Sequence, residues 1–472
     1  MVDAEQKFGG LLLATGSAGT LGIFSLALLV AISDVFLLSA LALNFVSTGL
    51  LIFMALLGRA VFRLLDSTTW QKSALRQWSF GSWLFALAMA LLILAVLASQ
   101  LWQATLIPLS AWDALQGGEW RVPSYGERAI NVIEHTQGLG RDWNPYDYRH
   151  PPTNFLLLSS STVIFGIAEL PGKVVWVLML FFCAVSCAGY AMLLSSSIAI
   201  GGAISALVLN LPLAENNAIL YGYNDLILYA CVIHGCIFIQ IALKGENRVG
   251  FSLLTAAFLF GVTFSKSVGP VFCLAMLTAV ALSQARKSLP DLSKKYHLAR
   301  RLGALPIVVS NPYLLAATIL VAGILGLMCI ALLSPLWGAI NLPIFGRTLV
   351  IQGIMPQALF RNWSHALFYL QSFGAIPLIM MGTIGFHALQ RRADICYGAP
   401  KSSFLVILSA LLVTVLNGYQ ATNYGAWTAL PGSDTLFSRL LLPLVGVMII
   451  SFLEILSTFQ VASPSTFPQS RQ

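Results

Sequence analysis

The sequence predicts an all-α polytopic membrane protein, and three observations carry that reading. Of the 472 residues, 58% are hydrophobic and only 9% are charged, whereas a soluble domain averages about 25% charged residues. Apolar runs recur from end to end, many of them long enough to cross a hydrocarbon core of about 30 Å as a helix of roughly 20 residues. The runs are continuous, whereas the strands of a membrane β-barrel alternate in polarity over segments of about 10 residues.

The first run, residues 9–33, is too long for the apolar core of a secretory signal, and the charges before it are mixed. It therefore reads as a retained helix. Hydropathy places the next spans near residues 37–58, 79–107, 172–194, 198–213, 222–243, 249–265, 268–285, 311–334, 364–388, 403–419 and 437–458, giving a bundle of about 12 transmembrane helices. Residues 154–168 are apolar too, but short for a span, and they follow directly on Pro151-Pro152.

Loop charge decides that case. With 154–168 not crossing and the N-terminus cytoplasmic, the basic clusters share one side. They are Arg59/Arg63/Lys72/Arg76, Lys244/Arg248, "RKSLPDLSKKYHLARR" at 286–301 and Arg391/Arg392/Lys401, joined by Lys7 and Arg471. A crossing there would move every later cluster to the other side, against the positive-inside bias. Residues 154–168 thus read as a juxtamembrane or re-entrant helix on the outer face, with 111–153 a long outer loop and 461–472 a cytoplasmic tail. The net charge of +8 is then a topology signal, and no nucleic-acid partner is implied. Cys183, Cys187, Cys231, Cys236, Cys273 and Cys329 fall within apolar runs and Cys396 in a basic loop. None has zinc-ligand spacing, so packing is the expected role.

The loop 111–153 carries Asp113, Glu119, Glu127, Glu134, Asp142 and Asp147 with Trp112, Trp120 and Trp143. Further outer loops run over 335–362 and near 420–436. Connectors this long are uncommon without a task of their own. For most of these carboxylates taken singly, a solvated loop charge is an adequate account. Glu127 differs: it heads "ERAINVIEH", whose apolar residues at 129, 130, 132 and 133 suit a helix lying on the bilayer. A carboxylate in that first turn, partly desolvated, fits a general base. Glu134, two turns on, shares its face.

"NPYDYRHPP" is stiffened by Pro145, Pro151 and Pro152. Tyr146, Tyr148 and His150 offer flat hydrogen-bonding surfaces for a sugar ring, and Arg149 can grip a phosphate. The competing reading is an interfacial anchor with Arg149 paired to Asp147 or a headgroup. Lys266, in "FGVTFSKSVGP", lies in a tight outer turn, where an ammonium needs an anion, a cavity or a path to the headgroups. Arg361 and Arg439 sit at the outer mouths of other helices, so three cations from three loops can surround one phosphate. "LYGYNDLILY" adds Tyr223, Asn224 and Asp225, for which helix capping is the default account.

In that order, these residues resemble the GT-C superfamily of integral-membrane glycosyltransferases. The likeness is strongest to the polyprenyl-phosphate-mannose-dependent α-mannosyltransferase (glycosyltransferase 87) type. The family has an acidic residue in the first large outer loop, then a "Y-D" element, then "Y-P-P" leading into a juxtamembrane helix. Here Glu127, "NPYDY" at 144–148 and "RHPP" at 149–152 look similar, and "GYND" and "SKSVGP" match later family features. The likeness covers roughly residues 80–445. It implies a GT-C-like catalytic module over 79–460, with residues 1–78 as two additional N-terminal transmembrane helices.

The resemblance further implies transfer of one sugar, mannose-like or another hexose or pentose, from a polyprenyl-phosphate donor to a lipid-linked or glycan acceptor. The expected base is Glu127, with Asp113 and Glu119 as alternatives. Glu134, Tyr146, Asp147, Arg149, His150, Asn224, Lys266, Arg361 and Arg439 are expected to bind substrate. The implied setting is a bacterial inner membrane with the active site on the periplasmic or extracellular side, among membrane lipids. No cofactor is required. A divalent cation between Asp142 and Asp147 is not favoured, because no further ligand is evident. The rival reading is a transporter or flippase of a lipid-linked or small polar substrate. A ligase moving whole oligosaccharides is a third.

Overall fold

The computed structural model describes residues 2–35, 40–66, 80–107, 157, 170–220, 223–244, 248–266, 269–270, 272–278, 280–281, 340–344, 347–351, 382 and 434–461. Apart from Leu157 and Gly382, the expected loop 111–153, the juxtamembrane helix 154–168 and the spans 311–334, 364–388 and 403–419 lie outside the described residues.

Helices dominate: α1 (Val2–Val35), α2 (Ala40–Asp66), α3 (Phe80–Leu106), α4 (Leu170–Ser195), α5 (Ile198–Leu209), α6 (Pro212–Ile219), α7 (Asn224–Lys244), α8 (Arg248–Ser265) and α9 (Asp434–Val461). Among the described residues five helices are long and apolar enough to cross a membrane, or six if the bent pair α5–α6 is one span. One short hairpin accompanies them. Strand β1 (Ile340–Ile344) pairs antiparallel with β2 (Arg347–Ile351), in the register Ile340↔Ile351 through Ile344↔Arg347. It occupies part of the expected outer loop 335–362 and satisfies that segment's backbone groups by mutual pairing.

The chain divides into two compact units, Met1–Ser267 with Phe452–Gln472, and Val268–Ser451. The second contains the hairpin, the helical residues 269–281 where described, and α9 as far as Ser451. The first unit holds α1 to α8. Its helices run alternately between two ends, fixed by three contacts. Gln6 Nε2–H donates to Ser196 Oγ at 3.2 Å, joining the start of α1 to the end of α4. Gly250 at the start of α8 approaches Leu64 near the end of α2. At the opposite end, the Lys173 ammonium donates to the Ile107 carbonyl at 2.9 Å. That end carries Ile107 and Leu170, between which the long loop of the sequence departs. Lys7, Arg59, Arg63, Lys244 and Arg248 all belong to helix segments at the other end.

α7 is the axis of this unit and is buried along nearly its whole length, whereas α3 is mostly exposed and turns Leu84, Leu87, Leu91, Leu94 and Trp102 outward. Such a face suits lipid, which is as apolar as the side chains themselves. α1 packs closely along α4, so the N-terminal helices share a core with the segment expected to be catalytic. The approach needs bare backbone at two places. A Cβ on Gly16 would overlap Ser186 Oγ and the Phe182 carbonyl, and one on Gly189 would overlap the Leu13 amide and the Gly9 carbonyl. Small residues let membrane helices gain contact where no hydrophobic driving force separates lipid from protein.

The expected single span 198–213 is corrected to two helices meeting at 61°. Ser196 takes a left-handed φ of 50° and turns the chain directly from α4 into α5. Ser197 then caps α5 by accepting the Ile200 N–H at 3.4 Å. At the other end Pro212 stops the ladder, having no N–H to donate, and starts α6 at its first position. α6 is less apolar, "PLAENNAI", but it buries Ala214, Asn217, Ala218 and Ile219 and so is held by packing.

Candidate functional site

The end of the first unit that bears the long loop concentrates polar side chains. α7 and α8 form an antiparallel hairpin, so the N-terminus of α7 lies beside the C-terminus of α8. Asp225 stands in the first turn of α7 and Lys266 directly follows α8. Each charge thus sits at the helix pole its sign suits. The Lys266 ammonium donates to Asp225 Oδ1 in a salt bridge, with side-chain exposures of 4% and 1% respectively. Neighbouring Asn224 is buried as well. Trp176 of α4 donates its indole N–H to the Tyr223 carbonyl at 3.1 Å and so pins the segment leading into α7. Lys173, one turn earlier on α4, holds the Ile107 carbonyl. The loop's base and the Asp225–Lys266 pair therefore share one framework.

This burial settles the position of Lys266. It does not snorkel to headgroups: it is 3% exposed and matched to a carboxylate 41 residues earlier in the chain. A buried pair of this kind is weak evidence for stability, since desolvation offsets much of the Coulombic gain. Charged groups retained inside a membrane bundle point instead to a functional site.

Deeper in the bundle the polar contacts are neutral or shared. His234, midway along α7, donates Nδ1–H to the Ala230 carbonyl at 2.7 Å, because a carbonyl can only accept. Its Nε2 is then the acceptor for the Ser186 hydroxyl of α4, also at 2.7 Å. The ring stacks on Phe258 of α8 with centroids 4.7 Å apart. Ser186 and His234 make the serine–imidazole arrangement of an activated nucleophile, but both are 0% exposed and Gly16 closes over the serine. The contact is therefore a strut between helices. Tyr190 of α4 donates its hydroxyl to Glu454 Oε1 on α9, closing the unit near its other end. Cys183, Cys187, Cys231 and Cys236 are free and buried and Cys273 is free and partly buried, as packing requires.

Of the residues expected at the site, Asn224 and Lys266 come together at the loop-bearing end, with Asp225 as the partner. Glu127, Asp113, Glu119, Glu134, Tyr146, Asp147, Arg149, His150 and Arg361 lie outside the described residues. Arg439 is on α9, and its side chain is outside them too. Among the described residues no group of three or more His, Cys, Asp or Glu is gathered to hold a metal. Reading the sequence missed Gln100 of α3, whose Nε2–H donates to the Leu209 carbonyl at 2.9 Å where α5 ends. It also passed over Glu215 in the first turn of α6. A glutamine inside the apolar run 79–107, and "ENN" directly after a proline, were the available signals.

Compared with known protein families, with curated proteins and with solved structures, the chain finds no match.

Proposed function

We propose that the protein is a membrane glycosyltransferase that moves a single sugar from a polyprenyl-phosphate donor to a lipid-linked or glycan acceptor. The donor's lipid lies in the bilayer, its sugar in a site at the loop-bearing end of the bundle. That end corresponds in this reading to the periplasmic or extracellular face of a bacterial inner membrane. Glu127 removes a proton from the acceptor hydroxyl, with Asp113 and Glu119 as the alternative bases. The oxygen attacks the anomeric carbon, the bond to the phosphate breaks, and its electron pair leaves with the lipid phosphate. The anomeric configuration inverts. Lys266, Arg361 and Arg439 meet the charge that gathers on the phosphate, while Tyr146, Asp147, Arg149, His150, Glu134 and Asn224 bind sugar and acceptor.

The observation that supports this reading is the buried Asp225–Lys266 pair at the end where the loop is rooted. A charged pair held dry at the end where a long acidic and aromatic loop is rooted is what a site for an anionic, sugar-bearing lipid needs. Asp225 keeps the ammonium oriented, and an arriving phosphate competes with the carboxylate for it. The test is incubation of the purified chain with a panel of polyprenyl-phosphate sugars, followed by product mass. One added sugar is expected from the wild type and none from Glu127→Gln at equal expression. Wild-type turnover in Glu127→Gln, Asp113→Asn and Glu119→Gln alike would overturn the mechanism.

A second reading, a transporter or flippase, is favoured by the broken span α5–α6, since discontinuous helices line the substrate and ion sites of many transporters. Substrate flux into proteoliposomes with no transfer product selects it.

A further inference from the structure

The break between α5 and α6 holds an acceptor that neither packing nor sugar transfer uses. Gln100 is 0% exposed, and the direction of its amide is fixed by its partner: the Leu209 carbonyl can only accept, so Nε2 faces it. Oε1, the other polar atom of the same amide, is buried without a hydrogen-bond partner among the described residues. A buried acceptor left unmet is destabilising and rare in native proteins.

The residues that end α5 spend their donors on their own helix. Pro212 has no N–H. The Asn210 N–H and its Nδ2 both go to the Ala206 carbonyl, at 3.0 and 2.8 Å, and the Leu211 N–H reaches the Val208 carbonyl at 3.4 Å. The Leu209 carbonyl keeps a second lone pair beside its bond from Gln100. α5 ends here and α6 begins, so the negative pole of one dipole and the positive pole of the other meet at the break. Half-buried Glu215 adds a carboxylate within the first turn of α6. Val208, Leu209 and Leu211 are each 0% exposed and keep the place apolar around its oxygens.

We propose that this break binds a small monovalent cation, with Gln100 Oε1 and the Leu209 carbonyl among its ligands and water completing the shell. Oxygen dipoles at an unwound helix replace part of an ion's hydration. The ligands are mainly neutral oxygens, which suits Na⁺ better than a divalent ion demanding several carboxylates. The site does not depend on sugar transfer and stands equally if the protein moves a substrate instead.

The test is thermal unfolding of the full-length protein in detergent, in NaCl, KCl and choline chloride at equal ionic strength. Selective binding raises the wild-type midpoint in Na⁺ above that in choline, with the rise growing with Na⁺ concentration by mass action. Gln100→Leu abolishes the difference. Gln100→Glu, which keeps an oxygen and adds charge, retains it and lowers the half-saturating Na⁺ concentration by about tenfold, the change expected from roughly 1.4 kcal/mol of added attraction. The second variant keeps the question open to measurement if the first fails to fold. Equal wild-type midpoints in the three salts, as from a water molecule at the break, overturn the proposal. So does a Na⁺ effect of unchanged size and midpoint in both variants.

Discussion

Two buried polar contacts of α7 differ in charge and in depth. At its N-terminus, beside the root of the long loop, Asp225 meets the Lys266 ammonium. Nine residues further on, at mid-helix, the neutral ring of His234 takes a hydroxyl from Ser186 and leans on Phe258. Ionised groups occur where helix poles can offset them, and hydrogen bonds between uncharged groups serve where only apolar side chains surround them. The first contact is costly to keep and therefore points to use; the second fixes the register of α4 against α7.

The sharpest way to break this contrast is to remove one charge. Lys266→Met or Asp225→Leu removes one half of a buried salt bridge and should cost about 3–5 kcal/mol of stability. The double variant Asp225→Leu/Lys266→Met should regain most of that, because two apolar groups demand no partner. Reversible unfolding in mixed detergent micelles measures all three. Single variants that lose less than about 1 kcal/mol would show the pair to be solvated, like a surface salt bridge, and the contrast with His234 would disappear.

The neutral contact is tested next through the helix behind it. Gly16→Ala adds a Cβ where Ser186 Oγ and the Phe182 carbonyl now stand. α1 and α4 must then separate, and overpacking of this kind costs about 1–3 kcal/mol. If Ser186 is a strut rather than a nucleophile, Gly16→Ala should lower stability without changing product formed per folded molecule. A selective loss of turnover would assign Ser186 a chemical role.

Much of the bundle could be read from hydropathy, because length and apolarity alone identify a span: residues 79–107 were expected and Phe80–Leu106 was found. The break in 198–219 was not. Pro212 stood in plain view, but the eight-residue stretch it begins is too polar to read as membrane helix, and only contacts with α3, α4 and α7 make it one. Lys266 could be picked out singly as a charge in an awkward place. Its partner could not, since 41 residues separate them and either Asn224 or Asp225 served equally well as a cap. The hairpin had a local signal, two five-residue runs rich in β-branched and aliphatic residues separated by Phe345-Gly346, but it was masked by the expectation of a loop. Pairings across the chain depend on tertiary geometry, which periodicity does not encode.

The smallest effect is the most discriminating between the two contacts. Ser186→Ala deletes the hydroxyl that His234 Nε2 accepts while leaving the Nδ1 bond to Ala230 and the stack on Phe258 in place. Hydrogen bonds between membrane helices are worth about 0.6 kcal/mol on average and up to about 1.7, because the separated helices find other partners in the bilayer. The loss on Ser186→Ala should fall in that range, several-fold below the loss of either charge at the loop-bearing end. His234→Phe in the same background should then cost nothing further from the interhelical hydrogen bond, only the Nδ1 bond to Ala230 within α7. The double-mutant cycle therefore isolates the Ser186–His234 coupling. A coupling as large as that of Asp225 with Lys266 would mean that His234 carries charge in the folded protein, and depth would no longer explain why α7 uses ions at one place and a neutral ring at the other.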